Sequence, residues 1–146
     1  MKLSTRTRYG TRALLELALR EAEGPVFLKD IAKNQAISLS YLEHLVAPLV
    51  SAGFIRSAKG RHGGMTLARK PEDINLKEIT HLLEGSLAPV DCVDDAGVCD
   101  RSGFCVTKEV WEKLRITMDT MLEGITLKEL VERQKEKQPA SSIYNI

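Results

Sequence analysis

Three cysteines stand within fourteen residues, as Cys92, Cys99 and Cys105, in the spacing C-x6-C-x5-C. The thiolate is the form of cysteine that binds metals. Three of them on a loop that also holds Gly97 and Gly103 can converge on one inorganic centre. Structural zinc sites pair closely spaced ligands, as in C-x2-4-C, and need a fourth Cys or His. No such close pair exists here, and His44, His62 and His81 lie upstream. Looser spacing ahead of a helix suits an iron–sulfur cluster, whose size separates its ligands and whose sulfurs accept N–H bonds. Zinc, a redox thiol switch and incidental cysteines are the alternatives. Burial as small apolar residues, common for free cysteine, fits poorly beside Asp91, Asp94, Asp95 and Asp100.

A second set of residues is built for a polyanion. Residues 1–70 carry a net charge of +7 and residues 71–146 a net of −6, which the overall +1 conceals. Such a split predicts a polyanion-binding front half and a back half with another task, with solvated helix faces as the plainer alternative. Ser38, Ser40, Tyr41, Glu43 and His44 cluster where a helix begins, and short polar side chains there reach phosphates or base edges. The N-terminal N–H groups of that helix add anion affinity. Lys59, Arg61 and His62 alternate with Gly60, Gly63 and Gly64 in a basic turn that can approach DNA closely, and Arg6 and Arg8 can clamp a flanking phosphate. Each has a plainer reading. Ser40 and Glu43 have capping-box spacing, Tyr41 can pack against the second helix, and His44 reads better as solvent-facing than as a ligand.

The elements that must position these groups follow from periodicity. Tyr9, Ala13, Leu14, Leu17 and Ala18 mark a helix over residues 5–23, stopped by Gly24-Pro25. Leu28, Ile31 and Ala32 mark a second helix near 28–34. A third starts near Ser38 or Ser40, with Leu42, Leu45, Val46, Leu49 and Val50 as its apolar positions; Gly53 caps it, and Pro48 should kink or shorten it. Two strand-like runs flank the basic glycine turn and predict a β-hairpin. Asn75-Leu76-Lys77-Glu78 is a capping box, with Ile74 and Ile79 as its hydrophobic staple. After the irregular cysteine loop, Val110, Leu114, Met118, Met121 and Leu122 stripe a long helix from about Thr107 to Glu123. Thr126-Leu127-Lys128-Glu129 opens a last helix ending near Lys137.

Three helices and then a hairpin is the order of a winged helix-turn-helix. The fold class is therefore mainly α, with a two-stranded wing and a long C-terminal dimerisation helix. The expected divisions are a DNA-binding domain over 1–85, the cysteine loop over 86–106, the dimerisation and C-terminal helices over 107–137, and a disordered tail over 138–146. The long stripe has little in so small a chain to bury it, which predicts a two-fold homodimer. No apolar run approaches a membrane span, and the N-terminus lacks the apolar core of a signal peptide. A cytoplasmic location follows, with neither membrane nor small-molecule substrate as a partner. No constellation of catalytic residues is visible, so no enzyme is expected.

Assembled, these motifs resemble the iron–sulfur-cluster-sensing winged-helix regulators of the IscR type. The likeness is carried by Met1-Lys2-Leu3-Ser4-Thr5 with Tyr9-Gly10, by Ile37-Ser38-Leu39-Ser40-Tyr41-Leu42-Glu43, and by the wing Gly60-Arg61-His62-Gly63-Gly64. It continues through the cysteine loop with Trp111 and through Ile125-Thr126-Leu127-Lys128-Glu129-Leu130. The resemblance implies that Cys92, Cys99 and Cys105 hold a 2Fe–2S cluster and that the long helix dimerises. It further implies that Arg8, Tyr9, Ser38, Ser40, Tyr41, Glu43, His44, Lys59, Gly60, Arg61, His62 and Gly63 bind double-stranded promoter DNA. Glu43 would disfavour one class of sites when no cluster is bound, and cluster-biogenesis genes would be the targets.

Two departures stand out. The family histidine three residues after the third cysteine is Lys108 here, which leaves the fourth ligand open among Glu109, another carboxylate, a partner-subunit residue or solvent. Relatives that sense nitric oxide or iron carry three cysteines in a similar place, and a 4Fe–4S cluster stays an alternative. A zinc-stabilised winged-helix adaptor is the other.

Overall fold

In the computed structural model, which describes residues 2–61 and 63–138, the first apolar run becomes α1 (Thr5–Leu19). Ser4 Oγ caps it by accepting the Thr7 N–H, and Ala13, Leu14, Leu17 and Ala18 are buried along one face. The helix ends at Leu19, short of the expected residue 23, and Glu21–Glu23 form a separate 3-10 turn. Those three residues are exposed, so no burial holds them in the helix. The chain instead swings to Val26, which exchanges two backbone hydrogen bonds with Met65 at 3.0 and 2.7 Å.

Helix α2 (Leu28–Gln35) buries Ile31 and Ala32 and ends on Ala36 in the left-handed conformation. Helix α3 (Leu39–Ser51) is capped by Ser38, not Ser40: Ser38 Oγ accepts the Tyr41 N–H at 3.2 Å. The Ser40–Glu43 capping box is therefore not formed, and both side chains are exposed. Pro48 does not shorten the helix, because buried Leu45, Val46 and Leu49 hold its last turn on the core. Val50, expected among the core positions, lies beyond that face and is exposed.

The wing is an antiparallel pair, β1 (Ile55–Ala58) and β2 (Gly64–Leu67), with Ile55 opposite Leu67 and Ala58 opposite Gly64. Helix α4 (Leu76–Leu83) opens on the expected reciprocal capping box of Asn75 and Glu78, and Ile74 and Ile79 are fully buried beside it. The cysteine loop is less irregular than expected. It holds the single turn α5 (Asp91–Asp94) and a 3-10 turn, Ala96–Val98. Helix α6 (Val106–Glu123) follows directly on Cys105, and α7 (Leu127–Lys137) is capped by Thr126.

Leu14, Ile31, Leu42, Leu49, Ile74, Ile79 and Leu127 form the fully buried centre of one core. Leu127 and Val131 bring α7 back onto that core. Glu16 is buried in α1 yet satisfied by Gln35 at 2.7 Å, Asn34 at 3.3 Å and Arg20 at 3.4 Å, which ties α1 to α2. Helix α6 stands apart: Asp119 is its one buried residue among the described residues. The chain thus adopts the expected mainly helical winged-helix architecture, with a two-stranded sheet among the described residues. No helix there is long and apolar enough to cross a membrane. His62, and the expected tail beyond Gln138, lie outside the described residues.

Candidate nucleic-acid interface and cysteine loop

Helix α3 separates two faces. Leu42, Leu45, Val46 and Leu49 face the core, while Leu39, Ser40, Glu43, His44 and Ala47 form an exposed face beginning at the helix N-terminus. Among the described residues Ser40, Glu43 and His44 make no side-chain hydrogen bond, so all three are open to a ligand. His44 is solvent-facing, as its sequence context implies.

Tyr41 packs against α1. Its ring meets Tyr9 of α1 edge-on, with centroids 6.2 Å apart, and its hydroxyl pairs with Thr5 Oγ1 at 3.0 Å. Arg8 and Arg12 flank the same Tyr9 ring, 5.7 and 5.4 Å from its centroid, within range of cation–π attraction. Arg12 also donates to the Gln35 side chain at 2.8 Å and to its backbone carbonyl at 2.9 Å, at the C-terminal end of α2. The aromatic pair thus fixes the start of α3 against α1 and brings the Arg8 guanidinium to the same edge of the molecule. The sequence marked Arg8 and Tyr9 but held no sign that Arg12 joins them, because its partner lies 23 residues away.

The wing carries its cations at the tip. Lys59, Gly60 and Arg61 are exposed, and Gly63 closes the turn by donating its N–H to the Gly60 carbonyl at 3.0 Å. A Cβ on Gly63 would strike the Ala58 carbonyl and the Lys59 backbone, so this position excludes every side chain.

All three cysteines are free. Cys92 and Cys105 are half-buried and Cys99 is exposed. Cys105 is the N-cap residue of α6, where unpaired N–H groups favour negative charge. The Thr107 hydroxyl, 3.1 Å from its sulfur, and the Lys108 and Thr107 amides hold this thiol below its usual range. Among the described residues no group of three or more His, Cys, Asp or Glu side chains is gathered closely enough to hold a metal ion. In this conformation the loop keeps the three sulfurs apart.

The donor set nonetheless suits an iron–sulfur cluster. Among the described residues Ser102 Oγ is buried without a hydrogen-bond partner, inside the segment bounded by Cys99 and Cys105. A buried hydroxyl without a partner costs free energy, and sulfur is a chemically suitable acceptor for such a donor. Lys108 is half-buried and Glu109 is exposed.

Residues 3–133 match the Rrf2 family, described as an iron-dependent transcriptional regulator. The chain is 44% identical over 131 residues to protein rrf2 of Nitratidesulfovibrio vulgaris, covering 90% of this chain and 87% of that protein. Among solved structures it is similar to T. potens IscR, with a TM-score of 0.79 and 41% identity, over 96% of this chain and 93% of that one. It is also similar to CymR (YrzC), the global cysteine regulator of B. subtilis. There the TM-score is 0.77 and the identity 35%, over 91% of this chain and 98% of that one.

Proposed function

The chain belongs to the Rrf2 family of transcriptional regulators, and from that premise we propose a cytoplasmic, homodimeric repressor whose choice of promoter depends on an iron–sulfur cluster. The family is one of transcriptional regulators and not of enzymes, which speaks against an adaptor that uses the winged helix for protein contacts. The observation that carries the finer reading is the donor set of the loop: three free thiols and one unpaired buried hydroxyl at the foot of α6.

Each group then has a task. Ser38 and Ser40 offer hydroxyls, and the α3 N-terminus offers N–H groups, to phosphate or base edges in the major groove. Tyr41, held by Tyr9 and Thr5, orients that end of the helix. Glu43, exposed on the reading face, repels phosphate and rejects base edges that present acceptors. Arg8, His44, Lys59, Arg61 and His62 supply cationic or hydrogen-bonding contacts to the backbone, with Gly60 and Gly63 shaping the turn of the wing. Lys59 reads guanine less directionally than an arginine would.

Cys92, Cys99 and Cys105 hold the cluster, of 2Fe–2S type. When bound, it supplies a centre whose presence follows iron and oxidant supply. These three thiols would have to be drawn together to hold it, and α5, which carries Cys92, packs directly against α6, so the loop that would hold the cluster is coupled to the long helix. Val110, Leu114, Ile116 and Met121 are exposed along α6, and a second copy of the chain covers them. The resemblance to IscR-type regulators nominates cluster-biogenesis genes as targets.

A second reading has its own support. The lowered Cys105 thiol suits a thiol switch, and one similar structure is a cysteine regulator. Protein purified without oxygen decides between the two by its visible spectrum and its iron and sulfide content. About two of each per chain, with charge-transfer bands, is the expected result. About four of each moves the reading to a 4Fe–4S regulator. A colourless protein that stays metal-free after reconstitution overturns the cluster and leaves the thiol switch.

A further inference from the structure

Asp119 is the one residue of α6 that the described structure buries, and a carboxylate is an unusual choice for that place. Its two oxygens are both used. One pairs with His81 Nε2 of α4 at 2.7 Å, and the other with Arg115 of its own helix at 3.3 Å. Beside them Lys77 of α4 and Glu123 of α6 pair at 3.6 Å across the same seam.

On one side of this seam α4 is fixed. Its C-cap residue Glu84 accepts hydrogen bonds from Ser4 at the start of α1. Gly10 of α1 lies so close that a Cβ there would strike Leu83 Cδ1. On the other side α6 is held at its C-terminal end by backbone bonds. Leu76 N–H donates to Ile125 at 2.9 Å, and Leu127 N–H donates to Ile74 at 2.8 Å. Asp119 lies six residues before Ile125, about 9 Å along the helix. Two anchors that far apart define a direction.

We propose that the His81–Asp119–Arg115 cluster sets the angle of α6 against the winged-helix unit, and through it the separation of the two recognition helices in the dimer. The inference rests on the dimeric DNA-binding reading above. From Asp119 to Val106 the helix runs about 20 Å further, carrying exposed Val106, Val110, Leu114 and Ile116. A rotation of about 10° at the anchor moves the far end by about 3.5 Å, one base-pair step of DNA. A dimer reading two half-sites about one helical turn apart registers an error of that size. His81 and Asp119 are therefore positioning residues that touch no DNA.

The test uses duplexes recovered by binding selection from a randomised 30-base-pair library, with full-length wild type, His81→Ala, Asp119→Ala and His81→Gln. Wild type should recover a palindrome with one half-site spacing, and lose about tenfold in affinity when one base pair is inserted at its centre. His81→Ala and Asp119→Ala should recover the same half-site with several spacings, and discriminate against the insertion by less than about threefold. His81→Gln, whose amide N–H can stand in for Nε2, should restore the single spacing. Unchanged spacing in both alanine variants overturns the proposal, as does loss of the half-site sequence itself, which would mark a role within the winged helix. Failure of wild type to recover any palindrome refutes the dimeric DNA-binding reading instead.

Discussion

Glu84 closes the N-terminus of α1 from eighty residues away, accepting the Ser4 hydroxyl at 2.7 Å and the Ser4 N–H at 3.0 Å. A third bond, from the Thr7 hydroxyl, reaches the same oxygen. The contact places the first residues of α1 against the C-terminal end of α4, with the Arg6 charge near enough to act on the Glu84 carboxylate.

Those bonds hold the Glu84 carboxyl below its usual 4.5, the Thr7 hydroxyl contributing most and Ser4 next. A carboxylate with a depressed folded-state value stabilises the fold above its unfolded value and loses that effect as pH falls through the folded one. Glu84→Gln should lower Tm by roughly 3 °C at pH 7, the size of losing one helix cap in a domain this long. The difference from wild type should shrink as pH falls below the ordinary 4.5 and on through the depressed folded-state value, where the wild-type carboxyl becomes neutral like the amide. Thermal melts from pH 3 to 7 check this, and a gap that stays constant across that range contradicts it.

Local signals carried most of the helix boundaries. Asn75 with Glu78 and Thr126 before Glu129 cap helices where their spacing predicts. Ser38 and Ser40 each fit a helix start, and the burial of Ile37 immediately before Ser38 favours the earlier one. That is a tertiary preference, invisible to a local pattern. The same holds for Val26 with Met65, Ser4 with Glu84 and His81 with Asp119, pairs 38 to 80 residues apart. The three thiols were legible as a set because chemistry follows residue type. Their separation in space was not, since loop conformation follows from packing that spacing does not encode.

Glu43 is exposed on the face of α3 that the proposed reading sets against DNA, and Ser38, not the Ser40–Glu43 pair, caps the helix. Glu43→Ala should let cluster-free protein bind sites otherwise reserved for the cluster-bound form, with a gain of about tenfold or more, the size of one unfavourable base contact. Gel-shift titrations of metal-free variant and wild type on both site classes measure it. Equal selectivity would remove Glu43 from the switch.

Lys59 and Arg61 are exposed at the wing tip and make no salt bridge among the described residues. Removing one cation that neutralises a phosphate reduces the slope of log affinity against log salt by about one. Lys59→Ala and Arg61→Ala should each show that change, and the double variant about twice as much, across roughly 50–200 mM salt. A slope identical to wild type in both places the wing off the DNA.

Cys105 differs from an ordinary thiol because α6 begins at it. The Thr107 hydroxyl, 3.1 Å away, and the Lys108 and Thr107 amides stabilise the thiolate and hold the group below its usual 9.0. A thiol already inclined to lose its proton spends less binding free energy on deprotonation when it takes up a metal, so on the proposed cluster-binding reading Cys105 would be the first of the three to engage it. In metal-free protein with Cys92 and Cys99 changed to serine, alkylation of Cys105 should follow a titration midpoint below 9.0, because only the thiolate reacts. Thr107→Val removes the hydroxyl while keeping the side chain's shape, and should move that midpoint up and slow the reaction at neutral pH. Iodoacetamide rates between about pH 6 and 10 give both quantities. A midpoint that Thr107→Val leaves unmoved would assign the whole effect to the helix amides and deny the hydroxyl any part in preparing the site.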